Sequence, residues 1–299
     1  MWNKKGIVIK PDPNLWWNKT HGMLPTPMHI KDNMYKVYYS GRDANNVSHI
    51  GYSIVDVSDG IIREISKSPN PILSPGERGC FDDNGVTPSC FIDDKLYYIG
   101  WNSGTTTYRM SLIMGLAELD SSGSYNRTSR APLLPKTNLE PFGICTAPFV
   151  MFDDTLNIYK MWYVSGEGWI SRDLPKYNIK YAESVDGIHW QRDGVVSVEL
   201  YDTETALARP IVLKTEDGYE MYFSYKDPNF GYRIGYATSP DGQQFNRVEN
   251  TIHSMSTSKS SWDSDMVEYG YVFSHRDIKY MLYNGNDYGF NGIGYAVFE

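Results

Sequence analysis

The sequence predicts an all-β chain, a single five-bladed β-propeller with four-stranded blades. Three observations carry this expectation. A block of short strands recurs with a period of ~60 residues. The strands are rich in aromatic and β-branched residues and are punctuated by turn signals. The last copy stops one strand short, and the missing pattern stands at the N-terminus.

The unit is plainest in Ala208–Asp241, where ARPIVLK, YEMYFSY and YRIGYATS are separated by TEDG and KDPNFG and closed by SPDG. Its first strand recurs as TPMHI from Thr26, TPSCFI from Thr87, APFVMF from Ala147 and YGYVFSH from Tyr269. With Pro27, Pro88, Pro148, Pro210 and Gly270 taken as equivalent, five copies account for residues 1–299 as one domain. The third and fourth copies continue into a fourth strand, WQRDGVVS from Trp190 and FNRVENTI from Phe245. The fifth ends at Glu299, while the chain begins WNKKGIVI from Trp2. The N-terminal strand is therefore expected to close the last blade, which leaves no long unpaired edge.

Composition narrows the function classes. Aromatic residues make up 14% of the chain, with 24 Tyr, which suits strands that are apolar on one side and polar at the tip. A formal charge of −8 offers no basic stripe for nucleic acid. No apolar run approaches membrane length, so no membrane partner is expected. The N-terminal MWNKKGIVIKPDP lacks the apolar core of a signal peptide, which predicts a cytoplasmic location. Cys80, Cys90 and Cys145 are odd in number, and reduced thiols are expected. The acids leave a divalent ion in the central channel open, but no ligand spacing argues for one, so neither metal nor cofactor is assigned.

Ligands gather in concavities, and in a propeller the starts of the first strands surround one mouth of the channel. In the first copy Trp17 and His21 form either a sugar-stacking wall with a polar handle or a loop packed by aromatics. In the second, Asp82 and Asp83 make a turn whose carboxylates stand where acid–base work is done, with Trp101 on the rim. The third offers Glu140 and, between strands, Trp169 as a sugar platform. In the fourth, Arg209 lies inside a channel-lining strand and needs a partner, for which Glu204 is nearest in sequence. The fifth brings Asp263, Asp265 and Glu268.

Carboxylates from several blades, an arginine and aromatic rings suit glycosidic-bond chemistry. One carboxylic acid protonates the leaving oxygen and a second carboxylate activates water or attacks the sugar. Asp83, Asp265 and Glu268 are the catalytic candidates. Glu204, Arg209, His21, Trp17, Asp82, Glu140, Trp101, Asp263 and Trp169 are the substrate-binding ones. Acid and base are not distinguished among them.

The repeated strands, with the turn SVDGIHW at Ser184–Trp190, resemble the five-bladed propeller glycoside hydrolases of families 43, 32, 117 and 130. FDDNGVTPS, ETALARP, WDSDMVEYG and MLYNGNDYGFNGIGYA look most like a glycosidase-like group from bacterial surface-polysaccharide gene clusters. The resemblance implies a protein acting on a bacterial glycan or sugar intermediate, with carbohydrate as its partner. Its motifs depart from the families, however. Family 43 carries an aspartate just before the first-blade proline, where Thr26 stands, and a glutamate two before the third-blade proline, where Thr146 stands. The Asn-Asp-Pro and Arg-Asp-Pro of family 32 and the Glu-Asp-Pro of family 130 do not occur. Two other readings follow: a non-catalytic carbohydrate-binding propeller, and a phosphorylase or transferase acting on an activated sugar, with Arg209 and His21 on a phosphate.

Overall fold

The computed structural model describes residues 1–201, 203–249 and 251–299, which are almost wholly β-strand and turn. β1 (Trp2–Ile9) opens the chain. The first antiparallel unit follows as β2 (Thr20–Lys31), β3 (Met34–Arg42), β4 (Ser48–Ser58) and β5 (Ile61–Lys67). The second is β6 (Gly85–Ile92), β7 (Lys95–Ser103), β8 (Met110–Leu119) and β9 (Tyr125–Arg127). The third is β10 (Ile144–Asp153), β11 (Ile158–Ser171), β12 (Leu174–Ser184) and β13 (Val196–Val198). The fourth is β14 (Ala206–Thr215), β15 (Gly218–Asp227), β16 (Phe230–Ser239) and β17 (Asn246–Arg247). β18 (Glu268–His275), β19 (Ile278–Asn284) and β20 (Ile293–Phe298) end the chain.

Single parallel steps between units, Ser48 to Gly85, Leu112 to Ile144 and Tyr177 to Ala206, join the first four into one 16-stranded sheet. The last three strands form a separate 4-stranded sheet whose outer member is β1. β1 runs antiparallel to β20, with Trp2 opposite Phe298 and Ile9 opposite Ile293, as its sequence pattern predicts. Trp2 is buried against Tyr222 and Phe298, so the N-terminal strand is fixed by packing as well as by its ladder. Asn284 joins the last unit to the first: its Oδ1 accepts from the Leu24 N–H at 2.9 Å and its Nδ2 donates to the Gly22 carbonyl at 2.6 Å.

Burial follows the strand period. Core packing also crosses between neighbouring units, as where Tyr39 and Val55 of the first unit cluster with Tyr280 and Leu282 of the last. A central cluster gathers Met23, Leu24, Ile99, Leu112, Ile144 and Ala208 from four units, so the inner strands meet around a common interior. Each inner strand also carries a bulge near its start. Leu24, Ala147, Arg209 and Tyr269 adopt positive φ there, between 47° and 54°. Such residues cost roughly 1–3 kcal/mol each and persist only where their surroundings fix them.

The bulges correct the sequence equivalence. Thr26, Cys90, Phe149, Ile211 and Tyr271 all face the second strand one residue before the position held by Tyr39, Tyr98, Tyr163, Phe223 and Tyr283. The structurally matched residues are therefore Pro25, Ser89, Pro148, Pro210 and Gly270, not Pro27 and Pro88. An irregular strand shifts prolines relative to the ladder, and sequence spacing alone does not reveal it.

Candidate functional site

Four of the acids named from sequence have a shared and different place. Asp82, Glu140, Glu204 and Asp263 each stand in the loop before an inner strand and are buried. Asp82 Oδ2 meets Arg127 Nε at 2.7 Å and accepts from the Tyr98 hydroxyl at 3.0 Å. Glu140 meets Arg192 at 2.6 Å and accepts from Tyr163 at 2.8 Å and Ser165 at 2.7 Å. Glu204 takes Arg247 in a two-pronged pair at 2.6 and 2.7 Å, and that guanidinium lies 3.8 Å from the Tyr201 ring centre. Asp263 meets Lys4 of β1 at 2.7 Å and Tyr283 at 3.0 Å.

The base in each case comes from the outer-strand region of the same unit, so these pairs clamp its outer edge to the loop entering its inner strand. The first unit varies the pattern. Asn18 replaces the acid under Tyr39, and Lys67, above that ring, pairs with Glu64. Breaking such a buried pair by removing one partner costs several kcal/mol. The expected Glu204–Arg209 pair does not form, because Arg247 takes both Glu204 oxygens.

Arg209 is instead enclosed among the inner strands. Its Nη2 donates to the Pro25 carbonyl at 3.0 Å and the Thr26 hydroxyl at 2.7 Å, and its Nη1 to Ser89 Oγ at 3.2 Å. One side chain of the fourth unit thus reaches the first and second. Burial lowers its pKa to about 10. A narrow space of about 50 Å³ beside it is lined by Trp101, Thr146 and Tyr269.

Above this floor opens a cavity of about 220 Å³. Tyr177, Tyr232, Tyr269 and Tyr288 supply hydroxyl-bearing walls, and Trp101 a ring edge; Arg42, Arg109, Lys226 and Asp173 supply charge. Tyr177 and Tyr232 share a hydroxyl–hydroxyl hydrogen bond of 2.6 Å. Burial pushes Tyr177 up to about 12 and Tyr232 and Tyr269 well above their ordinary value. Glu268 lies directly behind these tyrosines. It is fully buried, and neither carboxyl oxygen has a hydrogen-bond partner among the described residues. Burial raises its pKa well above the carboxylate range, and nearby Lys226 offsets this only in part. A shift in this direction favours the neutral acid, the form that donates a proton.

The corrected register gives Glu268 further meaning. Two before the matched residues stand Met23, Thr87, Thr146, Ala208 and Glu268, and one before stand Leu24, Pro88, Ala147, Arg209 and Tyr269. Glu268 thus fills, on the last unit, the position where family 43 has its third-blade glutamate. The first-unit position has Leu24 in place of Thr26, again without a carboxyl.

The other sequence candidates are dispersed. Asp83 is half-buried in its turn, accepting from Gly79 N–H and Asn102 Nδ2 at 2.8 Å, and Asp265 is exposed; neither lines the cavity. Trp17 is fully buried, with no face for a sugar, and a Cβ on Gly51 would lie 2.2 Å from its ring. His21 is buried beside Thr20 and Phe290, and burial lowers its pKa to about 4. Trp169 packs against Tyr108, with ring centres 5.7 Å apart. Arg42, Arg109, Lys226 and Asp173 escaped the sequence reading, since they stand at second-strand ends and in loops outside the stretches before the matched prolines. Cys90 and Cys145 are buried thiols, pushed up to about 11 and about 12 by burial.

The fold is that of propeller-like glycoside hydrolases. A structure described as a glycoside hydrolase matches with a TM-score of 0.72 at 18% identity, over 99% of this chain and 91% of that one. A thermostable family-43 glycoside hydrolase matches with 0.64 at 15% identity, over 97% and 91%. An endo-arabinase from Bacteroides thetaiotaomicron matches with 0.60 at 12% identity, over 98% of both chains. Identities this low show the fold alone. No protein-family model matches. In sequence, the chain is 37% identical over 305 residues to two Mycobacterium tuberculosis proteins, "Uncharacterized protein MT1551" and "Uncharacterized protein Rv1502", covering 100% of this chain and 99% of each. The chain therefore belongs to the family of these mycobacterial proteins.

Proposed function

We propose that residues 1–299 form one five-bladed propeller closed by β1, and that it acts on a bacterial glycan or sugar intermediate at the tyrosine-walled cavity. Glu268 is the proton donor in this reading, with Asp173 the second carboxylate on the cavity. The observation that carries it is a fully buried carboxyl on an inner strand, without a hydrogen-bond partner among the described residues, behind the tyrosine walls of a cavity to which several units contribute. Unpaired buried acids are costly and concentrate where chemistry is done. Tyr177, Tyr232 and Tyr269 stand between Glu268 and the cavity, so in this reading its proton reaches a substrate only once a tyrosine hydroxyl turns toward the carboxyl. A cytoplasmic location and a place in surface-polysaccharide synthesis complete the proposal.

A saccharide screen tests it, read by thermal shift and by product formation on wild type, Glu268→Gln and Asp173→Asn. Turnover that falls about 10²–10⁴-fold in Glu268→Gln, the range for a lost general acid, supports the reading. Turnover unchanged by that replacement sinks it. A non-catalytic carbohydrate-binding propeller is favoured by one observation, that Leu24 and Thr146 occupy the family-43 acid positions. Stabilisation by a glycan with no product from any protein form would establish it.

A further inference from the structure

The charge of the cavity opposes that of the chain. The protein carries a formal −8, yet Arg42, Arg109 and Lys226 face one space of about 220 Å³ in which Asp173 is the carboxylate-bearing lining residue among the described residues. Asp173 already has Arg172 at 3.0 Å. None of the three cations forms a salt bridge among the described residues. Arg42 donates to the neutral Asn46 at 2.9 Å, and Lys226 to the Tyr288 hydroxyl at 3.4 Å.

These side chains come from three units: the end of β3, the loop before β8 and the end of β15. Like charges converging on a partly enclosed space repel one another, and neighbouring protein elsewhere does not neutralise them as Arg127, Arg192, Arg247 and Lys4 neutralise the outer acids. Burial holds Arg42 below its ordinary pKa; Tyr269 opposes this and Arg109 adds to it by a smaller amount. The arrangement lacks an anion, and the cavity is where one fits.

The walls specify the rest of that ligand. Tyr177, Tyr232, Tyr269 and Trp101 line it with aromatic rings and tyrosine hydroxyls, which suits a body that is apolar on its faces and polar at its edge. The volume lies below the ~300–1,000 Å³ of drug-sized pockets, which limits the occupant to about one sugar ring. We propose that the cavity selects a sugar residue bearing an acidic group, carboxylate or phosphate, whose oxyanion is held by Arg42, Arg109 and Lys226. This rests on the reading of the cavity as a sugar site and adds the substrate class. Arginine's planar fork and lysine's point charge are the usual means of holding such oxyanions.

Calorimetric titration of the whole chain with methyl glucuronide, glucose 1-phosphate and neutral methyl glucoside tests the inference. At least one acidic sugar is expected to bind about tenfold or more tightly than methyl glucoside, as one charge-assisted hydrogen bond supplies. The preference shrinks as salt is added, because the cavity is open to solvent. Arg109→Gln and Lys226→Gln each remove about tenfold of it. Arg109 is exposed, so its variant keeps the wild-type melting temperature and its loss of affinity is not a folding defect. Comparing the two acidic probes identifies the oxyanion. Equal binding of all three sugars, or no binding of either acidic one, overturns the inference. Turnover of neutral glycans alone would overturn it and leave the enzyme reading standing. Tight binding of an acidic sugar with no turnover would uphold it and defeat the enzyme reading.

Discussion

Glu140 and Glu268 are both buried carboxyls near the start of an inner strand, and the structure treats them in opposite ways. Glu140 has Arg192 at 2.6 Å and hydroxyl donors from Tyr163 and Ser165, while Glu268 has tyrosines around it and no hydrogen-bond partner on either oxygen among the described residues. The same contrast separates Asp82, Glu204 and Asp263 from Glu268. A fixed base on the outer edge makes an acid a clamp. Burial without such a base keeps it protonated and leaves its proton available. Residue type and sequence position do not distinguish these fates; the partner does.

The comparison breaks most visibly on the paired side. Arg192→Met leaves Glu140 charged in a dry site and is expected to cost about 3–5 kcal/mol in urea unfolding. The double variant Arg192→Met with Glu140→Gln should recover much of that loss, because the uncompensated charge is gone. A single-variant cost near that of an exposed pair, below about 1 kcal/mol, would mean that water reaches the site and the clamp is not buried.

The unpaired side is sharpened by pH. In the folded protein Glu268 keeps a proton that the unfolded chain releases near its ordinary value of 4.5. The unfolded state then binds fewer protons, so stability falls as pH rises from there toward the raised folded pKa. The contribution of this one group approaches about 1.4 kcal/mol per pH unit at most. Glu268→Gln should flatten that limb when chemical unfolding is followed across pH, whereas Asp263→Asn, whose carboxylate is held ionised by Lys4, should not.

His21 acts at the other end of the profile. Burial holds its imidazole neutral down to about 4, against 6.5 when unfolded. Below pH 6.5 the unfolded chain takes up a proton that the folded one refuses. Stability is therefore lost as pH falls from 6.5 toward 4, by less than the Glu140 clamp is worth. An NMR titration should show the His21 ring unprotonated through pH 5. A normal titration near 6.5 would place that ring in water.

How much of this was legible in the sequence follows from distance along the chain. The recurring strands and the N-terminal match are local patterns, and β1 does pair with β20. The loop acids were visible as positions, but their partners were not. Arg127 lies 45 residues after Asp82 and Arg192 52 after Glu140, while Lys4 is separated from Asp263 by almost the whole chain. The cavity cations were hidden for a related reason. Each ends a strand or sits in a loop where a solvated charge is ordinary, and only the convergence of three units makes them a group. Trp17 misled because a tryptophan beside a histidine has the same composition in a core as on a binding wall.

One short stretch, Trp262 to Glu268, contains the whole contrast and sets its most delicate test. Asp263 is clamped by Lys4, Glu268 is buried without a hydrogen-bond partner among the described residues, and Asp265 between them is exposed, its carboxyl accepting from the Ser264 hydroxyl at 3.1 Å. Alternation along an extended chain places Asp263 and Asp265 on one side and Glu268 on the other, yet the structure gives the first two unlike surroundings because this loop is not a regular strand. Asp265→Asn is expected to shift stability by no more than about 0.5 kcal/mol, as exposed substitutions do. It should also leave turnover within about twofold of wild type, since Asp265 does not line the cavity. A large loss of turnover without a loss of stability would move the chemistry outward from the tyrosine cavity to the exposed rim, and Glu268 would then be an acid without a reaction.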